Sequence, residues 1–246
     1  MNVFGLIGYP LGHSFSKQYF TEKFDKEGIK DCVFEAFPIT SINEFPSLLK
    51  NNPDLKGLCV TIPYKEQVLR YIDELSEEVK SIGATNSITI RSNKLVAYNT
   101  DIAGFRQSFK KLLQPHHTKA LVLGTGGASK AVQYVLRELG IDYLIVSRSN
   151  SGADGFINYT AIDELLINEY TIVINCTPVG MWPNENNCPA IPYQFITSRH
   201  YLYDLVYKPE ETLFLKKGKD KNATTQNGYE MLVIQAEESW RIWNSL

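Results

Sequence analysis

Short apolar runs rich in β-branched and aromatic residues alternate with longer amphipathic stretches along this 246-residue chain, and that alternation constrains its fold more than any other feature. The runs are "VFGLIG" (3–8), "CVFEAF" (32–37), "GLCVTI" (57–62), "SITIR" (87–91), "LVAY" (95–98), "ALVLG" (120–124), "YLIVS" (143–147), "TIVINC" (171–176) and "YLYDLV" (201–206). Strands separated by helix-length segments pair in parallel, with the helices as crossovers. Only "SNK" separates "SITIR" from "LVAY". That is too short for a crossover, so these two form a hairpin and one strand runs antiparallel. The helical and polar stretch "DIAGFRQSFKKLLQPHHT" (101–118) interrupts the series, and the pattern restarts at a glycine-rich turn. The sequence therefore predicts an α/β protein of two domains. A mostly parallel sheet spans 1–100 and is completed by an amphipathic C-terminal helix at 228–246, and a second sheet lies within 101–227.

Composition narrows the function classes. A formal charge of -2 gives no basic footprint for nucleic acid. No apolar run approaches the roughly 20 residues that cross a bilayer, and "MNVFGLIGYP" reads as a first strand and not as a signal peptide. Cys32, Cys59, Cys176 and Cys188 are widely spaced and read as reduced, buried thiols of a cytoplasmic protein. Together with His13, His116, His117 and His200 they show no metal-ligand spacing, so no metal is expected.

The segment "ALVLGTGGASKAVQYVLRELG" (120–140) is a strand, a glycine turn and a helix. Gly124, Gly126 and Gly127 let the backbone pass close to a pyrophosphate held at the helix N-terminus. Ser129 stands where the third glycine or alanine of G-x-G-x-x-G is expected. The next strand completes a βαβ unit, which makes the second domain Rossmann-like. That strand ends in "SRSNSG" (147–152), with no carboxylate for a ribose 2′-hydroxyl. Arg148 is a planar cation able to meet a 2′-phosphate instead, which favours NADP over NAD.

In open parallel sheets ligands bind beyond the carboxyl ends of the strands. Ser14 and Ser16 follow the first run, Thr61 and Lys65 the third, and Asp101 follows "LVAY". The reversed hairpin strand begins at the same edge and brings Asn86, the residue before it, there. Each has a plainer reading: the serines and Asp101 as helix caps, Asn86 as a strand terminator. Lys65 resists one, because the spacing after Pro63 puts it in a first helical turn, where the helix dipole opposes a cation. Hydroxyl, amide and ammonium groups together suit a small polyhydroxylated acid.

The motifs "GHSFS", "VTIPYKE", "GATNSI", "NTDIAGF", "GTGGAS", "INCTPVGM", "YDLVY" and "NGYEMLVIQA" occur in that order. Through them the chain resembles the shikimate dehydrogenase family from about Gly8 to Gln235. The resemblance implies reversible NADPH-dependent reduction of 3-dehydroshikimate to shikimate, in the pathway to aromatic amino acids, by a monomer or homodimer. It makes Lys65 and Asp101 the catalytic pair, with Lys65 as acid and electrostatic stabiliser and Asp101 orienting it. Ser14 and Ser16 would hold the substrate carboxylate, with Thr61, Asn86, Tyr207 and Gln235 around its hydroxyls. Gly124, Thr125, Gly126, Gly127, Ala128 and Ser129, then Ser147, Arg148 and Ser149, would hold the dinucleotide. Leu205 and Gly228 match positions near the nicotinamide, and Glu77 matches a further cofactor-side position.

The sequence departs from the family pattern at several places. Lys17 replaces a proline, Ile102 a glycine, and Glu230 the glycine before Met231. Gly152 stands where a second basic residue usually follows the loop arginine, which leaves tolerance of NAD open. Three alternatives remain: a quinate/shikimate dehydrogenase, a methylenetetrahydrofolate dehydrogenase, and a catalytically silent relative. The third would be expected to lack Lys65 or Asp101, and both are present.

Overall fold

The computed structural model describes residues 1–12, 15–92, 94–149 and 154–245. The chain divides into two compact units, Met1–Thr100 with Gln235–Leu246, and Asp101–Ile234.

The first unit contains β1 (Asn2–Gly8), α1 (Phe15–Glu27), β2 (Cys32–Pro38), α2 (Phe45–Asn51), β3 (Leu55–Val60), β4 (Glu74–Leu75), α3 (Glu77–Ile82), β5 (Ser87–Arg91) and β6 (Lys94–Tyr98). Its strands lie in the order β2-β1-β3-β5-β6-β4. β1 pairs in parallel with β2 and β3, and β4 with β6, whereas β5 is antiparallel to both neighbours. The expected hairpin is present, with Ser87 opposite Tyr98 and Arg91 opposite Lys94.

The second unit takes up α4 (Thr100–Lys110) from Asp101 onward. It continues through β7 (Lys119–Leu123), α5 (Gly127–Glu138), β8 (Asp142–Val146), β9 (Phe156–Ile157), α6 (Glu164–Glu169), β10 (Ile172–Asn175), β11 (Tyr201–Asp204), α7 (Leu213–Lys219) and β12 (Thr224–Gln226). Here the order is β12-β11-β10-β7-β8-β9, every pair parallel. The chain winds outward in both directions from β7 and β10, so the strand order reverses between those two, the arrangement of a Rossmann-like sheet. The last helix, α8 (Tyr229–Asn244), starts in the second unit and belongs to the first from Gln235 onward. The sequence reading gave the whole of 228–246 to the first domain. Three strands escaped that reading, β4, β9 and β12, all of two or three residues and all at sheet edges.

Both faces of the first sheet are covered, which is why its strands read as nearly continuous apolar runs. Ile7, Phe45, Leu58, Val68 and Ile88 fill one side. Phe4, Leu6, Phe20, Phe34 and Cys59 fill the other, together with Ala236, Trp240 and Trp243 of α8. The 4- and 3-residue steps between those three α8 residues place them on one helical stripe. Trp243 stacks on Phe4 with ring centroids 5.1 Å apart, and Phe20 on Phe34 at 4.7 Å. In the second unit Leu121, Leu123, Val173, Leu202 and Phe214 are the centre of the core. All four cysteines are free thiols; Cys59 is buried, while the other three are partly exposed, contrary to the uniform burial expected.

Phe20 is fully buried among aromatic rings. Phe20→Ala is expected to cost about 3–5 kcal/mol of unfolding free energy, read from urea denaturation, because the cavity it leaves is walled by rigid rings.

Candidate active site

In the first unit the carboxyl ends of β1 and β3 lie side by side, tied by the Thr61 N–H donating to the Ile7 carbonyl (2.9 Å). The chain then turns. Tyr64 N–H donates to the Thr61 carbonyl (2.9 Å), and the buried Tyr64 hydroxyl donates to the Ile39 carbonyl (2.7 Å). Lys65 follows in this turn, ahead of a 3-10 helix at Gln67–Tyr71 that begins after Glu66. Lys65 thus precedes the 3-10 helix by two residues, inside a single helical turn closed by Val68 N–H donating to the Tyr64 carbonyl (3.0 Å), close to the first helical turn expected for it. The Lys65 carbonyl accepts from Thr85 N–H (2.8 Å), which fastens the lysine backbone beside Asn86.

Asn86 joins these pieces. Its backbone carbonyl accepts from Val60 N–H at the end of β3 (2.8 Å), and its N–H donates to the Tyr98 carbonyl at the end of β6 (3.3 Å). Its buried side chain accepts from Thr100 N–H (2.7 Å) and donates to the Gln235 Oε1 (3.2 Å). The first unit thus gathers Thr61, Lys65, Asn86 and Gln235 around one strand-end junction. Ser16 lies partly exposed in the first turn of α1, and Ser14 lies outside the described residues. Glu77, exposed at the start of α3, holds a salt bridge to Lys80 (2.7 Å), an ordinary acid of a first helical turn.

The second unit assembles its own set. Gly124 follows β7 with φ +105°, where only glycine is unstrained, and an added Cβ would sit 2.9 Å from the Thr177 side chain after β10. Gly126 caps α5 without a side-chain hydrogen bond, and Thr125 and Gly126 are exposed, which leaves a helix N-terminus of backbone donors open to an anion. Gly127 and Ala128 form its first turn. The Ser129 side chain is buried and donates to the Gly124 carbonyl (2.8 Å), so it braces the turn instead of facing a ligand. At the end of β8, Ser147 Oγ accepts from Ser149 N–H (3.3 Å), and Arg148 and Ser149 are exposed with no acid among the three. Gly152 lies outside the described residues. Leu205 and Gly228 meet directly, since a Cβ on Gly228 would lie 2.2 Å from the Leu205 carbonyl oxygen. Tyr207 is half-buried, and burial pushes its phenol up, so it stays a neutral donor.

Comparison with known proteins decides what these sites belong to. A family model described as the shikimate dehydrogenase substrate binding domain matches residues 6–88. The shikimate dehydrogenase (NADP(+)) of Clostridium beijerinckii is 38% identical over 254 residues, covering 99% of this chain and 92% of that protein. The chain belongs to the shikimate dehydrogenase family. Among solved structures, the Thermus thermophilus shikimate 5-dehydrogenase in complex with NADP(H) and shikimate is 30% identical with a TM-score of 0.84, covering 100% of this chain and 94% of that one. The quinate dehydrogenase of Corynebacterium glutamicum in complex with NAD is 25% identical with a TM-score of 0.88, over the same shares, 100% and 94%.

The motif "YDLVY" of this member of the shikimate dehydrogenase family also carries a buried carboxyl with no role assigned from sequence. Asp204, at the end of β11, is fully buried, and burial raises its pKa from 3.8 to about 6. Hydrogen bonds from Thr212 Oγ1 (2.6 Å), Val206 N–H (3.0 Å) and Asn175 Nδ2 (2.9 Å) offset part of that cost. Asn175 in turn accepts from Thr177 Oγ1 (2.6 Å), so Asp204 braces the ends of β10 and β11 and the loop carrying Leu205 and Tyr207. Between pH 3.8 and 6 the folded chain holds a proton on Asp204 that the unfolded chain has released. Stability therefore falls as pH rises through that window and is level above it. From pH 4.5 to 7 the wild type is expected to lose about 2 kcal/mol that Asp204→Asn does not lose, measured by urea unfolding at the two pH values.

Proposed function

We propose that this protein catalyses the reversible NADPH-dependent reduction of 3-dehydroshikimate to shikimate in aromatic amino acid biosynthesis. The observation that carries the reading is the junction at Asn86, which ties the backbones of β3 and β6 and the side chain of Gln235 together beside Lys65. Amide and hydroxyl groups there match the alcohols of a small polyhydroxylated acid, and Ser14 and Ser16 take its carboxylate. The glycine turn before α5 receives the pyrophosphate on backbone N–H groups, and Arg148 with Ser147 and Ser149 receives the 2′-phosphate. Leu205 and Gly228 border the nicotinamide.

The dinucleotide, when bound, supplies the hydride. Lys65, as an ammonium, stabilises the negative charge growing on the ketone oxygen and delivers the proton. In the oxidation direction it takes the proton of the alcohol. Asp101 orients Lys65 and binds the neighbouring hydroxyl, while Thr61, Asn86, Tyr207 and Gln235 fix the ring so that the reacting carbon presents one face.

The resident cofactor preference follows from Arg148 and the lack of an acid after β8. The likeness to a quinate dehydrogenase bound to NAD motivates the second reading, a quinate/shikimate dehydrogenase that accepts NAD. We further propose that the protein acts in the cytoplasm as a monomer or homodimer and binds no nucleic acid. Four free thiols and a net charge of -2 support this. No helix among the described residues is long and apolar enough to cross a membrane.

A four-way rate assay, shikimate or quinate with NADP or NAD, is expected to give fast turnover only with shikimate and NADP. Comparable rates with quinate or NAD would establish the second reading, and no turnover in any combination would remove the enzyme assignment. Lys65→Ala is expected to lower kcat by a factor on the order of 10³ with little change in KM, as for a group acting mainly in the transition state. A large rise in KM at unchanged kcat would instead make Lys65 a binding residue.

A further inference from the structure

Behind the Asn86 and Gln235 amides lie two hydroxyls, Thr100 after the sixth strand and Ser239 on the last helix, that the sequence did not place among the substrate contacts. Thr100 is 1% exposed and Ser239 0%, while Asn86 and Gln235 are 4% and 6% exposed. All four belong to the first unit. The bonding of the Asn86 amide has a fixed sense. The Thr100 backbone N–H can only donate, and it donates to the Asn86 Oδ1 (2.7 Å), which settles the orientation of that amide. The Asn86 Nδ2 therefore faces the Thr100 Oγ1 (2.9 Å) and the Gln235 Oε1 (3.2 Å). The Thr100 hydroxyl accepts from the Asn86 Nδ2, and its own hydrogen has three acceptors within reach. Ser239 Oγ is the nearest at 3.0 Å, followed by Asn86 Oδ1 at 3.3 Å and Gln235 Oε1 at 3.5 Å.

We infer that Ser239, acting through Thr100, is a positioning residue for substrate binding. It holds the Thr100 hydroxyl so that the Gln235 carbonyl oxygen stays committed to Asn86 and the Gln235 NH2 end is turned away from the ring of four. Ser239 sits one helical turn beyond Gln235 on α8, so the same rigid element carries the amide and the group that sets its sense. Thr100 opens α4 and directly precedes Asp101, so the network also fixes the residue from which Asp101 extends. Without the serine hydroxyl, the Thr100 hydrogen turns to Asn86 Oδ1 or Gln235 Oε1, and at either it competes with a bond that sets the two amides. The inference rests on the proposed function, because the substrate is what the two amides are held for.

A purely structural role predicts something different. Serine inside a helix is less favourable than alanine, so Ser239→Ala should leave folding stability near that of the wild type. The test compares wild type, Ser239→Ala, Thr100→Val, Thr100→Ser and the Ser239→Ala/Thr100→Val double variant. The readouts are KM and calorimetric affinity for shikimate, KM for NADP and thermal midpoint. Ser239→Ala and Thr100→Val are each expected to weaken shikimate binding about five- to tenfold, as for one buried hydrogen bond lost, with KM for NADP unchanged. Thr100→Ser should keep wild-type affinity, and the double variant should be no weaker than Thr100→Val alone, since both remove one interaction. Unchanged shikimate affinity in Ser239→Ala, a lowered thermal midpoint alone, or additive losses would overturn the inference and leave the functional reading intact. A wild-type protein that neither binds nor oxidises shikimate would overturn that reading, and the inference with it.

Discussion

One reversed strand organises the first unit. A sheet of parallel strands delivers only strand ends to its carboxyl edge, and each end then departs into a connection. β5 lies between β3 and β6 and is antiparallel to both, so it delivers a beginning. Asn86, the residue before that strand, is held by backbone hydrogen bonds to Val60 on one side and Tyr98 on the other. With its backbone gripped from both sides, the amide side chain is aimed by the sheet itself and not by a loop. Thr100 and Gln235 then converge on a fixed point.

The second unit obtains comparable rigidity by burying polar groups instead. Where the strand order reverses between β7 and β10, Gly124 comes close to Thr177, and Thr177 is bonded to Asn175. Asn175 reaches Asp204, and Asp204 reaches Thr212 at the start of α7. This chain of hydrogen bonds runs beneath the loops that carry the proposed dinucleotide contacts. An uncompensated carboxyl in that position would be costly, and its three donors are what make it tolerable.

Much of this was legible in the sequence because the signals were periodic or stereochemical. Nine strands announced themselves as apolar runs, the hairpin through the shortness of "SNK", and the glycine turn through spacing. What was missed had no local signal. β4, β9 and β12 are polar or very short, and exist because a neighbouring strand offers an edge to pair with. The helix expected after Pro63 is shorter than its spacing suggests, one turn closed by Val68 N–H on the Tyr64 carbonyl followed by a 3-10 helix at Gln67–Tyr71. Ser239 reads in sequence as one more small residue on an amphipathic helix. Its partner Thr100 is 139 positions away, and only the packing of α8 against the strand ends brings them together.

The division of α8 between the units has a consequence for how the protein is made. The first 100 residues leave the ribosome without the aromatic residues that close one face of their sheet, since Trp240 and Trp243 arrive last. Phe4, Phe20 and Phe34 must wait while the whole second unit is translated, a delay of about 7–30 s at typical synthesis rates. The unit that begins first is therefore the one that finishes last. Until α8 is added, the rings of Phe4, Phe20 and Phe34 have one another but lack their partners Trp240 and Trp243.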